Sequence, residues 1–372
     1  MNTRRMGRSA NRVRALRAGC CAAYEILIVV FVLAVIYWRT TKLVSPDAGA
    51  ADAIESLRAA CSERPVYRIS AADDGRHLWV TRRGGEIELL NRFTGQTVNG
   101  RSWCGTDLAD VSHSDCGSMS LLLGSDGSAA LYRDMYEPPL VQMSPPSLAE
   151  AEAGRDCRDE GRLSCSVSSD GSIALAVTVR GTVFGWSLTE SEPVFLTYQL
   201  PAGLRPCSVR LDSTGARLFV AGAGDTSQII DARTGEKLGE PLNLGASCRT
   251  AAWSHDGSVL ALALGNRTFV IWDVVQGSVR VQCPVPSRNE ITSLAISRDG
   301  RWVAAAVMDQ QPYVILWDTE SNAVHKLSGH AGLVQSMAFS SQTDALFTGS
   351  LDGTVREWSL ITFVTVRCFD AT

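Results

Sequence analysis

Seven like four-stranded β-sheets closed into a ring are the all-β architecture that this 372-residue sequence predicts. Two landmarks repeating in phase lead to it, and a separation of charge sets off the segment that precedes it. The first landmark is a polar-Asp-Gly turn followed by an apolar run, in AADDGRHLWV, SSDGSIALAV, SHDGSVLALAL and SRDGRWVAAAV, with turn glycines at Gly75, Gly171, Gly257 and Gly300. Weaker copies put Gly117 and Gly215 in the same role, and a seventh, SSQTDALFTG, has Thr343 there. The steps are 42, 54, 44, 42, 43 and 43 residues. The second landmark is an apolar run ending in a large residue: Leu90, Tyr132, Trp186, Ile230, Trp272, Trp317 and Trp358, at steps of 42, 54, 44, 42, 45 and 41. Two landmarks advancing together through seven copies define a repeat, and the long step marks an insertion in the second unit.

Within each unit, short runs of Val, Ile, Leu, Ala and aromatics bounded by Gly, Asp, Asn and Ser read as strands and turns. Asp-Gly suits a tight hairpin because glycine accepts a positive φ without a Cβ penalty. The sixth unit shows four strands: ITSLAIS, RWVAAAV, YVILWDT and the run through His325 toward Leu327. After Trp358, FVTVRCFD supplies the outer strand of the seventh. One such sheet has two apolar faces and no core of its own. Seven of them packed face to face around an axis cover every face, which is a propeller over residues 66–372.

The first 42 residues hold eight basic side chains against Glu25 alone, a net of +7, and the whole chain sums to −4, so the remainder carries −11. That acidic body has no excess positive charge for phosphates, and nucleic acid is not an expected partner. Residues 19–38, GCCAAYEILIVVFVLAVIYW, are interrupted only by Glu25. As a helix they are long enough to cross the ~30 Å hydrocarbon layer. Six arginines precede this span and only Arg39 and Lys42 follow closely, so the positive-inside rule puts residues 1–18 in the cytoplasm and the rest on the far side. The expectation is a signal anchor, a stalk over 39–65 ending in a short helix, and an extracytoplasmic propeller. The competing reading is a cleaved signal peptide, with Ala48-Gly49-Ala50 as the small-x-small site.

Nine cysteines beyond the span suit an oxidising compartment. Cys165, Cys207 and Cys248 fall on the first strands of the third, fourth and fifth units and read as small buried residues. The region has no CxxC, HExxH, GxSxG or phosphate loop, and its Asp-Gly turns lack the DxDxDG spacing, so no metal, cofactor or catalytic residue is expected.

Together these features resemble the WD-repeat family, seven-bladed propellers with a Gly-His pair, an Asp-Gly turn and a Trp-Asp pair per blade. The resemblance covers about residues 66–372. The last unit matches best, with Gly329-His330, Leu351-Asp352-Gly353 and Trp358-Ser359, and no other unit has the Gly-His. The resemblance implies a buried hydrogen-bonded tetrad of His330, Thr348 (or Ser350), Asp352 and Trp358. It further implies that the turns between second and third strands share one face with the segments that join blades. That face would carry Arg82, Arg83, Arg180, Arg267, Asp309 and Gln310. The insertion, within 137–162, is Pro-led and acidic and would lie beside them as a lid or docking element. The function expected is a non-enzymatic protein-protein interaction scaffold with this face as the partner-binding surface. Its alternatives are a propeller enzyme or small-ligand binder using the central channel, and the same scaffold with cytoplasmic blades. The family commonly closes its ring by placing an N-terminal strand in the last blade. Here the segment before Val66 reads as helical, and a Cys61–Cys368 disulfide is the covalent seam this suggests.

Overall fold

The computed structural model describes residues 64–369 apart from 73, 83–84, 103–107, 115–118, 125–127, 134–137, 144–163, 179, 189–192, 223 and 286–289, all within the unit Ala60–Thr372. The expected anchor at 19–38, the stalk through Cys61, Arg83 and most of the insertion lie outside the described residues. Among the described residues no helix is long and apolar enough to cross a membrane.

The strands form seven four-stranded antiparallel sheets, each built from four consecutive strands. Blade one holds β1 (Val66–Ala71), β2 (His77–Arg82), β3 (Glu86–Asn91) and β4 (Thr97–Ser102); blade two β5 (Leu108–His113), β6 (Ser120–Gly124), β7 (Ala129–Tyr132) and β8 (Val141–Met143). Blade three holds β9 (Ser164–Val167), β10 (Ile173–Val177), β11 (Thr182–Ser187) and β12 (Val194–Gln199); blade four β13 (Pro206–Leu211), β14 (Arg217–Gly222), β15 (Thr226–Asp231) and β16 (Leu242–Asn243). Blade five holds β17 (Cys248–Trp253), β18 (Val259–Leu264), β19 (Thr268–Asp273) and β20 (Ser278–Pro284); blade six β21 (Ile291–Ile296), β22 (Trp302–Val307), β23 (Tyr313–Asp318) and β24 (Val324–Ser328). Blade seven is β25 (Val334–Phe339), β26 (Ala345–Ser350), β27 (Val355–Ser359) and β28 (Thr365–Phe369).

The repeat read in the sequence is a repeat of register. Leu90, Tyr132, Trp186, Ile230, Trp272, Trp317 and Trp358 all lie on third strands, opposite Leu78, Ser120, Ala174, Leu218, Leu260, Val303 and Leu346. The Asp-Gly turn behaves as its chemistry requires: Gly257 has φ 66° and donates its N–H to Ser254 O at 2.9 Å. Blade seven turns without that device, since Thr343 does not take a positive φ.

Seven apolar clusters, one at each junction of neighbouring blades, make up the core. Between blades five and six, for example, Val259, Ala261, Phe269 and Ile271 meet Val303, Ala305, Ile315 and Trp317. The seventh junction closes the ring: Val66, Ile69, Leu78, Val80 and Leu90 of blade one pack on Ala345, Phe347 and Val355 of blade seven. Contact there is tight, for a Cβ built on Gly349 would lie 2.5 Å from Val66 Cγ1.

Among the described residues no strand crosses this seam, and side chains fasten it. Arg92 of blade one, 5% exposed, donates to Glu357 Oε1 at 2.5 Å and to Thr343 Oγ1 at 2.9 Å, both in blade seven. Its guanidinium also stands over the Phe347 ring, 5.2 Å from the centroid. Arg367 of β28 holds the other Glu357 oxygen at 2.9 Å. The backbone N–H of Ile69 donates to Ser336 Oγ at 3.1 Å. Cys368 sits on β28 opposite Arg356, while its suggested partner Cys61 lies outside the described residues.

One cysteine reading needs correction. Cys165 and Cys248 are buried, but Cys207 is exposed. It is the extra residue of a β-bulge between Pro206 and Ser208, which turns its side chain out of the pleat.

Candidate functional site

The face formed by the second-to-third-strand turns does not present all of its expected residues. Arg82 is buried, at 4% exposure, and is not a surface anchor. Its Nε donates to Glu88 Oε2 at 3.0 Å, and its Nη1 donates to Arg64 O at 3.0 Å and to Gly353 O, across the seam, at 3.4 Å. Arg82 therefore closes the ring. Arg180, before Gly181, and Arg267 are exposed. Arg267 holds φ 68°, and its N–H caps the turn on Leu264 O at 3.1 Å. Gln310 is exposed and donates its backbone N–H to the half-buried Asp309 at 2.7 Å. Three of the six residues, Arg180, Arg267 and Gln310, are thus solvent-facing, on blades three, five and six.

In blade seven the four expected residues come together. His330 Nδ1 lies 2.9 Å from Asp352 Oδ2, His330 Nε2 lies 2.7 Å from Thr348 Oγ1, and the Trp358 indole donates to Thr348 Oγ1 at 2.8 Å. Thr348 occupies the strand position, while Ser350 instead donates to Gly332 O at 2.9 Å. Burial by itself would raise the Asp352 carboxyl, but the bond and charge of His330 and the bonds from Thr354 outweigh it and hold the carboxyl well below its usual range.

The axis of the ring carries a feature that the sequence reading did not single out. The inner strands β1, β5, β13, β17, β21 and β25 each carry a bulge at the same place. Several bulged side chains reach the next blade: Tyr67 Oη donates to Ala109 O at 2.9 Å, Cys207 Sγ to Cys248 O at 2.9 Å, and Thr292 Oγ1 to Val334 O at 2.8 Å. The first residue paired beyond each bulge is polar: Arg68, Asp110, Ser208, Thr250, Ser293 and Ser336. These strands enclose a cavity of about 270 Å³ whose charged walls are Arg68, Arg210 and Arg298, with His113 and His255, and no carboxylate among the described residues that line it.

Arg68 has a counter-ion behind it. Its Nη2 donates to Asp110 Oδ1 at 2.7 Å and its Nε to Val111 O at 3.1 Å. Asp110 in turn accepts the Cys165 N–H at 3.0 Å. Burial would lower the Arg68 guanidinium, yet Asp110 and its neighbours outweigh this and raise it. Arg210 makes no ion pair among the described residues, although the Asp110 charge acts on it from a distance; its Nη1 donates to Val209 O at 2.7 Å. Burial first, and then the charge of Arg68, hold it below the usual guanidinium value. His113 stacks on Trp79, with centroids 5.9 Å apart, and its Nδ1 lies 2.8 Å from Ser120 Oγ. Burial and the nearby Arg68 charge push it down to about 3, so it is neutral at physiological pH. The signal that could have found this group is an arginine inside an apolar inner strand, VYRIS and PCSVRL, at two register positions two residues apart, where other units carry Asp, Ser, Thr or Ala.

Comparison with known proteins agrees with this architecture. The family described as WD domain, G-beta repeat matches over residues 321–359, which run from the hairpin before β24 to the end of β27. The U3 snoRNP-associated protein-like EMB2271 of Arabidopsis thaliana is 41% identical over 68 residues, 18% of this chain and 14% of that protein. The 66 kDa stress protein of Physarum polycephalum is 26% identical over 221 residues, 59% of this chain and 35% of that protein. The chain thus spans about a third or less of the length of these relatives. The crystal structure of the Myceliophteria thermophila Cps50 (Swd1) β-propeller domain superposes with a TM-score of 0.64 at 15% identity, covering 77% of this chain and 95% of that domain. Repeat, register and superposition converge on a seven-bladed β-propeller, within which residues 321–359 match the WD40 repeat.

Proposed function

We propose that the protein is a membrane-anchored interaction scaffold without catalytic activity, whose propeller holds a protein partner on the face of the second-to-third-strand turns. The observation that carries the proposal is the outward presentation of Arg180, Arg267 and Gln310 on three blades of one rigid ring. Guanidinium groups on such a rim suit a partner surface with carboxylates, and a ring fastened at seven junctions fixes their spacing. Residues 19–38 serve as the anchor, with residues 1–18 cytoplasmic and the blades on the opposite side, as the arginine distribution directs.

Two measurements test this reading. Arg180→Ala combined with Arg267→Gly removes both charges, and glycine suits the positive φ at 267, so the fold is retained. Cross-linking in the native cells is expected to lose a specific cross-linked species in this variant, and an unchanged pattern overturns the face. Lys237 and Lys326 are exposed and are the only lysines of the propeller. A membrane-impermeant amine reagent added to intact cells is expected to label both; labelling only after lysis overturns the orientation.

A further inference from the structure

We propose that the central channel binds a small oxyanion between Arg68 and Arg210, a site that owes nothing to the partner face. The channel walls offer hydrogen-bond donors and positive charge, with Asp110 as the carboxylate behind them. Asp110 is bonded to Arg68 and the Cys165 N–H, so its charge reaches Arg210 only through space and no carboxylate is bonded to the Arg210 guanidinium among the described residues. On Arg210 only Nη1 is engaged, so Nε and Nη2 remain to donate as a fork, the geometry that suits carboxylate or phosphate oxygens.

The neighbouring hydroxyls are set the same way. Ser112 Oγ accepts the Val167 N–H at 3.0 Å, and Ser166 Oγ accepts the Leu211 N–H at 2.9 Å. Each hydroxyl proton is thereby left to donate, and both serines line the cavity. Donors that converge in this way disfavour a cation. A half-buried guanidinium with no bonded carboxylate, beside a second arginine, gains from a bound anion.

Size and access limit the ligand. At about 270 Å³ the cavity falls just short of the ~300 Å³ at which sites for drug-sized molecules begin, so the ligand is small. The lining takes in the C-terminal parts of the inner strands and residues of the turns that follow, including Ser213, His255 and Arg298. The channel therefore reaches the face of the Asp-Gly turns, opposite the proposed partner face. Arg298, with its Nη2 3.2 Å from His255 Nε2, extends the positive path outward.

The test uses the full chain in a mild non-ionic detergent at pH 7.5, with inorganic phosphate as the probe and chloride balancing ionic strength. Phosphate is expected to raise Tm and to titrate as one site by calorimetry. Arg210→Gln is expected to leave the phosphate-free Tm unchanged or higher, because the charge removed is bonded to no carboxylate and stands near Arg68, and to weaken phosphate binding at least tenfold. Arg210→Lys keeps the charge but loses the fork, and is expected to weaken binding at least threefold, which supplies the reading should the Gln variant fail to fold. Absence of phosphate binding in the unaltered chain, or undiminished affinity in the variant that folds, overturns the proposal.

Discussion

His113 is a neutral side chain held inside a charged neighbourhood, and that makes it a source of pH dependence. Its folded value of about 3 lies below the 6.5 of a free imidazole, so between those values the unfolded chain binds one more proton than the folded one. The associated stability is complete above pH 6.5 and is lost as pH falls, at up to about 1.4 kcal/mol per pH unit. Urea unfolding at pH 7.5 and pH 5 should show this loss, and His113→Gln should flatten it. Asp352 responds at lower pH: its lowered carboxyl contributes stability that is present above the unfolded carboxylate range and disappears as pH falls below it. His330→Ala leaves the Asp352 carboxylate and the Thr348 hydroxyl without their shared partner, a cost of about 1–3 kcal/mol read as a fall in denaturation midpoint. Trp358→Phe, which forfeits a single neutral hydrogen bond to Thr348, should cost about 1 kcal/mol.

Strand pairing alone does not hold blade one to blade seven. The two sheets share no strand, and the Arg92–Glu357 pair sits in their junction with both side chains nearly buried. Glu357 keeps Arg367 if Arg92 is removed, but Arg92 has no other carboxylate among the described residues, so Glu357→Leu strands a nearly buried charge and should cost about 3–5 kcal/mol. Replacing both, as Arg92→Met with Glu357→Leu, should cost much less, because the charge then left without its partner, Arg367, is partly exposed to solvent. A double-mutant cycle on the unfolding midpoint checks the difference, and equal losses in the single and double variants would contradict it. The same seam explains why Arg82 was misjudged. Its neighbours in sequence, Arg83 and Gly84, look like an exposed turn, but its acceptor Gly353 O lies 271 residues away. Cys207 was misread for a local reason: the bulge at Pro206–Ser208 shifts the pleat by one residue, and alternation of residue types does not register such a shift.

Closure is a property of the whole ring. Each of the seven apolar clusters draws on two blades, so removing one blade uncovers two faces at once. A chain ended at Ser328 would expose Val66, Ile69 and Leu78 on one side and Ala304, Leu316 and Leu327 on the other. It should fail to show a cooperative unfolding transition and should sediment as aggregate, whereas a soluble, cooperatively melting fragment would contradict the closed-ring account. By itself the sequence settles the number of blades and the strand order, because these follow from a short-range pattern repeated seven times; the blade-seven tetrad rests on a resemblance that leaves Thr348 and Ser350 open, and only the folded blade puts Thr348 on His330. It also raises 19–38 as an anchor, a reading from apolar length and arginine count. Which arginines face solvent, which fasten the seam and which meet at the axis emerge only when the ring closes. Arg68 and Arg210 are 142 positions apart, and no periodicity brings two such side chains together; the common axis of the inner strands does.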